Sequence, residues 1–157
     1  MKPFWGYDKQ VAAWVAARIP GCEEGFNACR ALGVATDDLS AMAGGIVYHD
    51  WNPRAQIMEL SGAAATQRWL TRPVLWQMFS YPFIGCGCQM VVMRVSERNE
   101  TQYGRGIKRI LKAYGFNETR IERLFGRGED GLVYTLTDDD WRANGFHKKE
   151  FAAYEQT

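Results

Sequence analysis

The 157-residue chain is 46% hydrophobic and 13% aromatic, which is enough for one domain with a sizeable core and excludes a disordered tract. Nineteen basic residues against eighteen acidic leave +1, so the overall charge points to no class of partner. No apolar run approaches the roughly 20 residues that span a bilayer, and Met1-Lys2-Pro3-Phe4-Trp5 opens no secretory leader, so no membrane role is expected. Cys22, Cys29, Cys86 and Cys88 lack a zinc pattern, because Cys86-Gly87-Cys88 is too tight and has no second pair. Reduced thiols, no metal and a cytoplasmic location are expected.

Asp8 to Ile19 reads as a helix with Val11, Trp14, Val15 and Ile19 on one face, stopped by Pro20-Gly21. Residues 29–34 and 39–48 are strand-like, with Gly44-Gly45 marking a bulge or a close backbone approach. The turn Asp50-Trp51-Asn52-Pro53 leads to a third strand, Ala55 to Ser61, then a small-residue loop from Gly62 to Thr66. Thr71 is positioned to cap a helix running to Tyr81, with Leu75, Met78 and Phe79 inward and Pro82 and Gly85 closing it. Gln89 to Ser96 is a short apolar run suited to a strand covered on both faces. After a turn at Asn99, Ile107, Ile110, Leu111 and Tyr114 form a helical stripe that ends at Gly115. Two strands, residues 117–125 and 132–137, precede a short helix capped by Thr137. Residues 146–157 read as a loose tail.

A helix, three strands, a helix, a strand, a helix and two strands predict an α/β (α+β) mixed sheet flanked by helices, in one domain. That order, with the strand Gln89–Ser96, the turn at Asn99, the amphipathic helix and the closing Gly115-Phe116, resembles the GNAT superfamily of N-acetyltransferases. The likeness covers about residues 8–137, and the compact style resembles phage- or prophage-type members.

The resemblance implies acetyl-coenzyme A bound where two parallel strands splay apart, the pantetheine arm on the first strand and the pyrophosphate on the loop and helix start beyond it. Leu60, Ser61, Gly62 and Ala63 would flank the arm, and Arg68, Thr71 and Arg72 the phosphates, with Asn99 touching the arm from the second strand. Small residues let backbone N–H groups approach a phosphate, and a helix N-terminus favours it. The superfamily's Gln/Arg-x-x-Gly-x-Gly/Ala is not found in this loop. Gln102-Tyr103-Gly104-Arg105-Gly106 approximates it one residue short, but that register leaves too little chain for the remaining elements.

Amine acetylation needs a base, and an acid for the leaving thiolate. Glu59, two residues before Ser61 and on the same strand face, is one candidate base; the alternative is a face that reaches water. His49, after Ile46-Val47-Tyr48, is the other, against a plain surface-turn histidine. The superfamily's usual acid, a tyrosine four residues before the Gly of Gly-Phe, is here Leu111; Tyr103 is the substitute, and Tyr114 belongs to the core stripe. The acceptor is a small-molecule or protein amine. Seven basic residues between Gly104 and Arg127 against Glu118 and Glu122, a local +5, keep nucleic acid as the less favoured partner, and a homodimer is compatible. The competing readings are a GNAT-fold binding or virion-associated protein without catalysis, and a phage enzyme modifying nucleic-acid bases.

Overall fold

Strand β4 (Ile57–Ala64) sends Met58 and Leu60 into one core and, by alternation, Glu59, Ser61 and Ala63 to the opposite side of the sheet. The computed structural model describes residues 1–99 and 104–156. Among these described residues seven strands form one sheet: β1 (Lys2–Phe4), β2 (Arg30–Ala35), β3 (Met42–Asn52), β4, β5 (Met90–Ser96), β6 (Asn117–Gly126) and β7 (Glu129–Thr137), in the spatial order β1-β2-β3-β4-β5-β7-β6. Every neighbouring pair is antiparallel except β4 and β5, which run parallel and are joined through helix α2 (Arg72–Ser80).

One face carries the larger core. Val74, Leu75, Met78 and Phe79 of α2, with Leu111 and Tyr114 of α3 (Gly104–Tyr114), cover Leu32, Ile46, Tyr48, Met58, Leu60, Val91, Met93 and Leu136. On the other face α1 (Asp8–Ala16) lays Val11, Ala12 and Val15 over Ala31 and Val47. Gly44 and Gly45 are close-approach glycines. A Cβ on Gly44 would stand 2.3 Å from the Trp69 ring, and one on Gly45 2.9 Å from Val15. Pro82 has no N–H, so the Met78 carbonyl loses its helical partner and accepts instead from the buried Tyr48 hydroxyl at 2.7 Å. The chain then widens into one turn of π-helix over Tyr81–Gly85.

Three expectations are corrected. The loose tail is a helix, α5 (Lys148–Glu155), reached through α4 (Asp138–Ala143): Phe151 packs edge-on to Trp76 and Trp141, and His147 is buried. Burying that aromatic area outweighs the weak helical pattern of so short a segment. Gly62 and Ala63 are strand residues, because β4 runs on to Ala64 alongside β3. Helix α1 ends at Ala16, before Ile19. All four cysteines are free thiols, and among the described residues no helix is long and apolar enough to cross a membrane.

Candidate active site

Strands β4 and β5 pair only from Ile57 to Glu59, against Met90 to Val92. Beyond that point β4 stays with β3, and β5 stays with β7, so the two parallel strands part and leave a cleft. Gln56 presents its carbonyl to the β5 side, accepting from the Gln89 N–H, whereas the Ala65 N–H turns to Ala43 on β3. Alternation along the strand therefore aims the backbone groups of Leu60 and Gly62 into the cleft.

At the point of parting lies a polar cluster. The Nε2 of His49 is 2.8 Å from Ser61 Oγ, and its Nδ1 is 2.7 Å from Asp50 Oδ2. Consecutive side chains on a flat strand point to opposite faces. Here the β3–β4 register shifts between His49 and Asn52, and Asp50 takes a left-handed backbone (φ +52°), which turns its carboxylate back to its neighbour's ring. Phe26 lies against that ring, with centroids 4.9 Å apart, and the His49 side chain is only 11% exposed.

Glu59 faces His49 across the β3–β4 ladder. Both its oxygens are occupied: Arg94 donates from Nε at 2.9 Å and from Nη2 at 3.1 Å, a planar two-point fork. The Arg94 guanidinium is held more firmly protonated by that bond and by the Glu59 charge. His49, Asp50 and Glu59 each offer a ligand atom within 4.8 Å of the others, a spacing a divalent cation could use. Arg94 already supplies the positive charge there, and its fork takes both Glu59 oxygens.

Beyond β4, Trp69 is buried over Gly44 and anchors the loop that leads to α2. Among the described residues the buried hydroxyl oxygens of Thr66 and Thr71 have no hydrogen-bond partner, and Thr71 stands where α2 begins. Thr71 holds the N-cap position, yet its side chain makes no cap bond. Arg68 is exposed in a left-handed conformation (φ +57°), and among the described residues it has no carboxylate partner. Arg72 is committed elsewhere: it donates to the Phe146 carbonyl, reaches Glu150 at 3.3 Å and lies over the Phe146 ring.

By sequence, no family model and no curated protein matches the chain. By structure it is similar to spermidine/spermine N-acetyltransferase SpeG from Vibrio cholerae in complex with manganese ions, with TM-score 0.69 and 13% identity over 91% of this chain and 95% of that one. It is also similar to a ribosomal-protein-S5-alanine acetyltransferase from Vibrio fischeri, with TM-score 0.59 and 15% identity over 72% of this chain and 63% of that one. A putative acetyltransferase from T. thermophilus gives TM-score 0.61 at 18% identity, over 86% of this chain and 68% of that one. The fold is that of the GNAT acetyltransferases.

In this GNAT fold Leu111 is buried core, as is Tyr114. The Tyr114 hydroxyl accepts from Trp141 Nε1 at 2.8 Å and meets His147 Nε2 at 2.7 Å, and burial pushes its pKa far up. Tyr103 lies outside the described residues. Asn99 sits in the turn after β5, its N–H donating to the Ser96 carbonyl at 3.1 Å. The structure thus brings His49, Glu59 and Ser61 together. Sequence reasoning missed Asp50 and Arg94, and the one signal for the latter was a lone arginine inside an apolar strand.

Proposed function

We propose that the protein is an N-acetyltransferase that carries the acetyl group of acetyl-coenzyme A to a primary amine, with the β4–β5 parting as the cofactor cleft. The observation that carries this reading is the Asp50–His49–Ser61 chain of hydrogen bonds at the point where the parallel strands separate.

Several residues fit the cofactor. Backbone groups of Leu60 and Gly62 are available to an extended amide-bearing arm, as an unpaired strand edge is. The unpartnered hydroxyls of Thr66 and Thr71, the N-terminus of α2 and the Arg68 guanidinium suit a pyrophosphate. Acetyl-coenzyme A supplies the thioester that is attacked. His49 takes the amine proton, directly or through the Ser61 hydroxyl, and Asp50 fixes the imidazole tautomer and balances its positive charge. The Glu59–Arg94 fork fixes the base of the cleft, which leaves His49 as the better base of the two candidates. Tyr103 is the proposed proton donor to the leaving thiolate, and Asn99 a contact to the cofactor arm.

Of the solved neighbours, one is a spermidine/spermine N-acetyltransferase and one a ribosomal-protein-S5-alanine acetyltransferase, and a spermidine N-acetyltransferase from Vibrio cholerae is dodecameric. Action on a small or protein amine in the cytoplasm, as a homo-oligomer, is consistent with both. The test is calorimetric titration of acetyl-coenzyme A followed by thiol release in the presence of an amine panel. Saturable binding with amine-dependent release supports the reading. Binding without release for any amine favours a non-catalytic GNAT-fold module, which the buried Leu111 at the usual acid position permits. No binding refutes both.

A further inference from the structure

Strand β2 begins at Arg30, opposite Tyr48, while β3 continues to Asn52. Past Tyr48 the β3 edge has no strand beside it among the described residues, and a cavity of about 400 Å³ opens there. Its walls include Arg30, Tyr48, His49, Trp51, Met58 and Tyr81. The His49 ring that lines it is the same one that reaches Ser61 at the cleft. A volume of a few hundred Å³ with mostly apolar walls and a few polar groups suits a small ligand.

The charges around this cavity are unequal. Asp50 is bonded to His49 and Glu59 is forked by Arg94, while Asp8 accepts from the Ala31 N–H at 2.9 Å, keeps its negative charge and lies beyond ion-pair reach of Arg30. Arg30 is exposed and, among the described residues, has no carboxylate within ion-pair reach. Tyr81 remains a neutral hydroxyl, its pKa pushed up to about 12 by burial and by the Cys86 thiol. The wall therefore offers one uncommitted cation, flat aromatic faces and a neutral donor.

We infer that this cavity is the acceptor site and that its ligand is a primary amine joined to a carboxylate and a flat apolar body, as in an aromatic amino acid. The inference rests on the acetyltransferase reading. The carboxylate pairs with Arg30, the flat body lies between Trp51 and Tyr81, and the amine points to His49. On transfer the amine nitrogen bonds to the acetyl carbon and the carbon–sulfur bond breaks. One nitrogen proton passes to His49, Tyr103 gives its own proton to the departing thiolate, and the His49 proton returns through solvent to the tyrosinate, giving an amide and coenzyme A. A polyamine leaves Arg30 unpaired and brings a second ammonium towards it.

Binding to the free protein tests this without needing turnover. Calorimetry compares phenylalanine, tyrosine and tryptophan with phenethylamine, tyramine, tryptamine and spermidine, on the wild type and on Arg30→Gln and Arg30→Lys. The expected result is at least tenfold tighter binding of the carboxylates over the decarboxylated amines, lost in Arg30→Gln and partly restored in Arg30→Lys. In an acetylation assay Arg30→Gln raises KM for the carboxylates and leaves kcat unchanged. Tighter binding of spermidine or tyramine, no binding of any carboxylate, or an unchanged preference in Arg30→Gln overturns the inference. If carboxylates bind but acetyl-coenzyme A does not, the acetyltransferase reading fails and the cavity stands as a binding site alone.

Discussion

His49 Nε2 lies 2.8 Å from Ser61 Oγ, and the two residues sit on neighbouring strands at the level where β4 leaves β5. A base in hydrogen-bond reach of a cleft-wall hydroxyl, oriented by a carboxylate on its other nitrogen, is the arrangement proton abstraction requires. His49→Gln should lower turnover by roughly 10²–10⁴-fold with little change in the dissociation constant of acetyl-coenzyme A. Steady-state kinetics beside calorimetry check this, and a full-rate variant would remove His49 from the mechanism.

Glu59 and Arg94 make the opposite prediction. Because the carboxylate is already forked by a guanidinium that is half exposed, Glu59→Gln should cost about 0.5–1 kcal/mol of stability and less than about tenfold in turnover. Chemical denaturation and kinetics on the single and double variants with Arg94→Met read the coupling. A loss in turnover as large as that of His49→Gln would return the role of base to Glu59.

Thr66 and Thr71 should separate stability from binding. Each buries a hydroxyl that has no partner among the described residues, so valine at either position should raise the melting temperature of the free protein and add up to about 1–3 kcal/mol of stability. The same substitutions should weaken coenzyme A binding. Arg68→Ala should weaken it too, by about 1–3 kcal/mol, whereas Arg72→Ala should act on stability, since its guanidinium is held by Phe146 and Glu150. Melting curves with and without coenzyme A decide; Arg72→Ala weakening binding more than Arg68→Ala would shift the phosphate site.

The central strands, the turns and the inward faces were legible because apolar runs and turn residues report local structure directly, and the parallel pair followed from the GNAT resemblance. Strand β1 was not: three residues with a proline carry no period. Helix α5 was not, since its partner Trp76 lies far off in sequence and Trp141 sits on a separate short helix. The His49–Asp50 contact was hidden for another reason. Adjacent residues meet only because Asp50 adopts φ +52°, and no pattern of residue types announces that.

His147 gives the fold a pH dependence. Trp141 donates to Tyr114 Oη; the Glu150 carboxylate 3.3 Å from His147 Nδ1 favours the imidazole N–H on that nitrogen, which leaves Nε2 to accept from the Tyr114 hydroxyl. Burial lowers its pKa, against the pull of Glu150 and with the help of Arg72. The unfolded chain binds this proton near pH 6.5 and the native chain only at lower pH, so stability falls as pH drops through that value. Melting temperature measured between pH 7.5 and pH 5 should decline, with a shallower slope in His147→Gln. Equal slopes would assign the dependence to other groups.

The most direct test of the cofactor cleft is a coenzyme A titration followed by backbone amide NMR. Saturable one-to-one shifts concentrated at Leu60, Gly62 and residues 66–72 are predicted, with His49 and Ser61 responding when the acetylated form is used. Shifts that never saturate, or that gather instead in the cavity lined by Trp5, Trp76 and Tyr154, would contradict a cofactor held where β4 and β5 part.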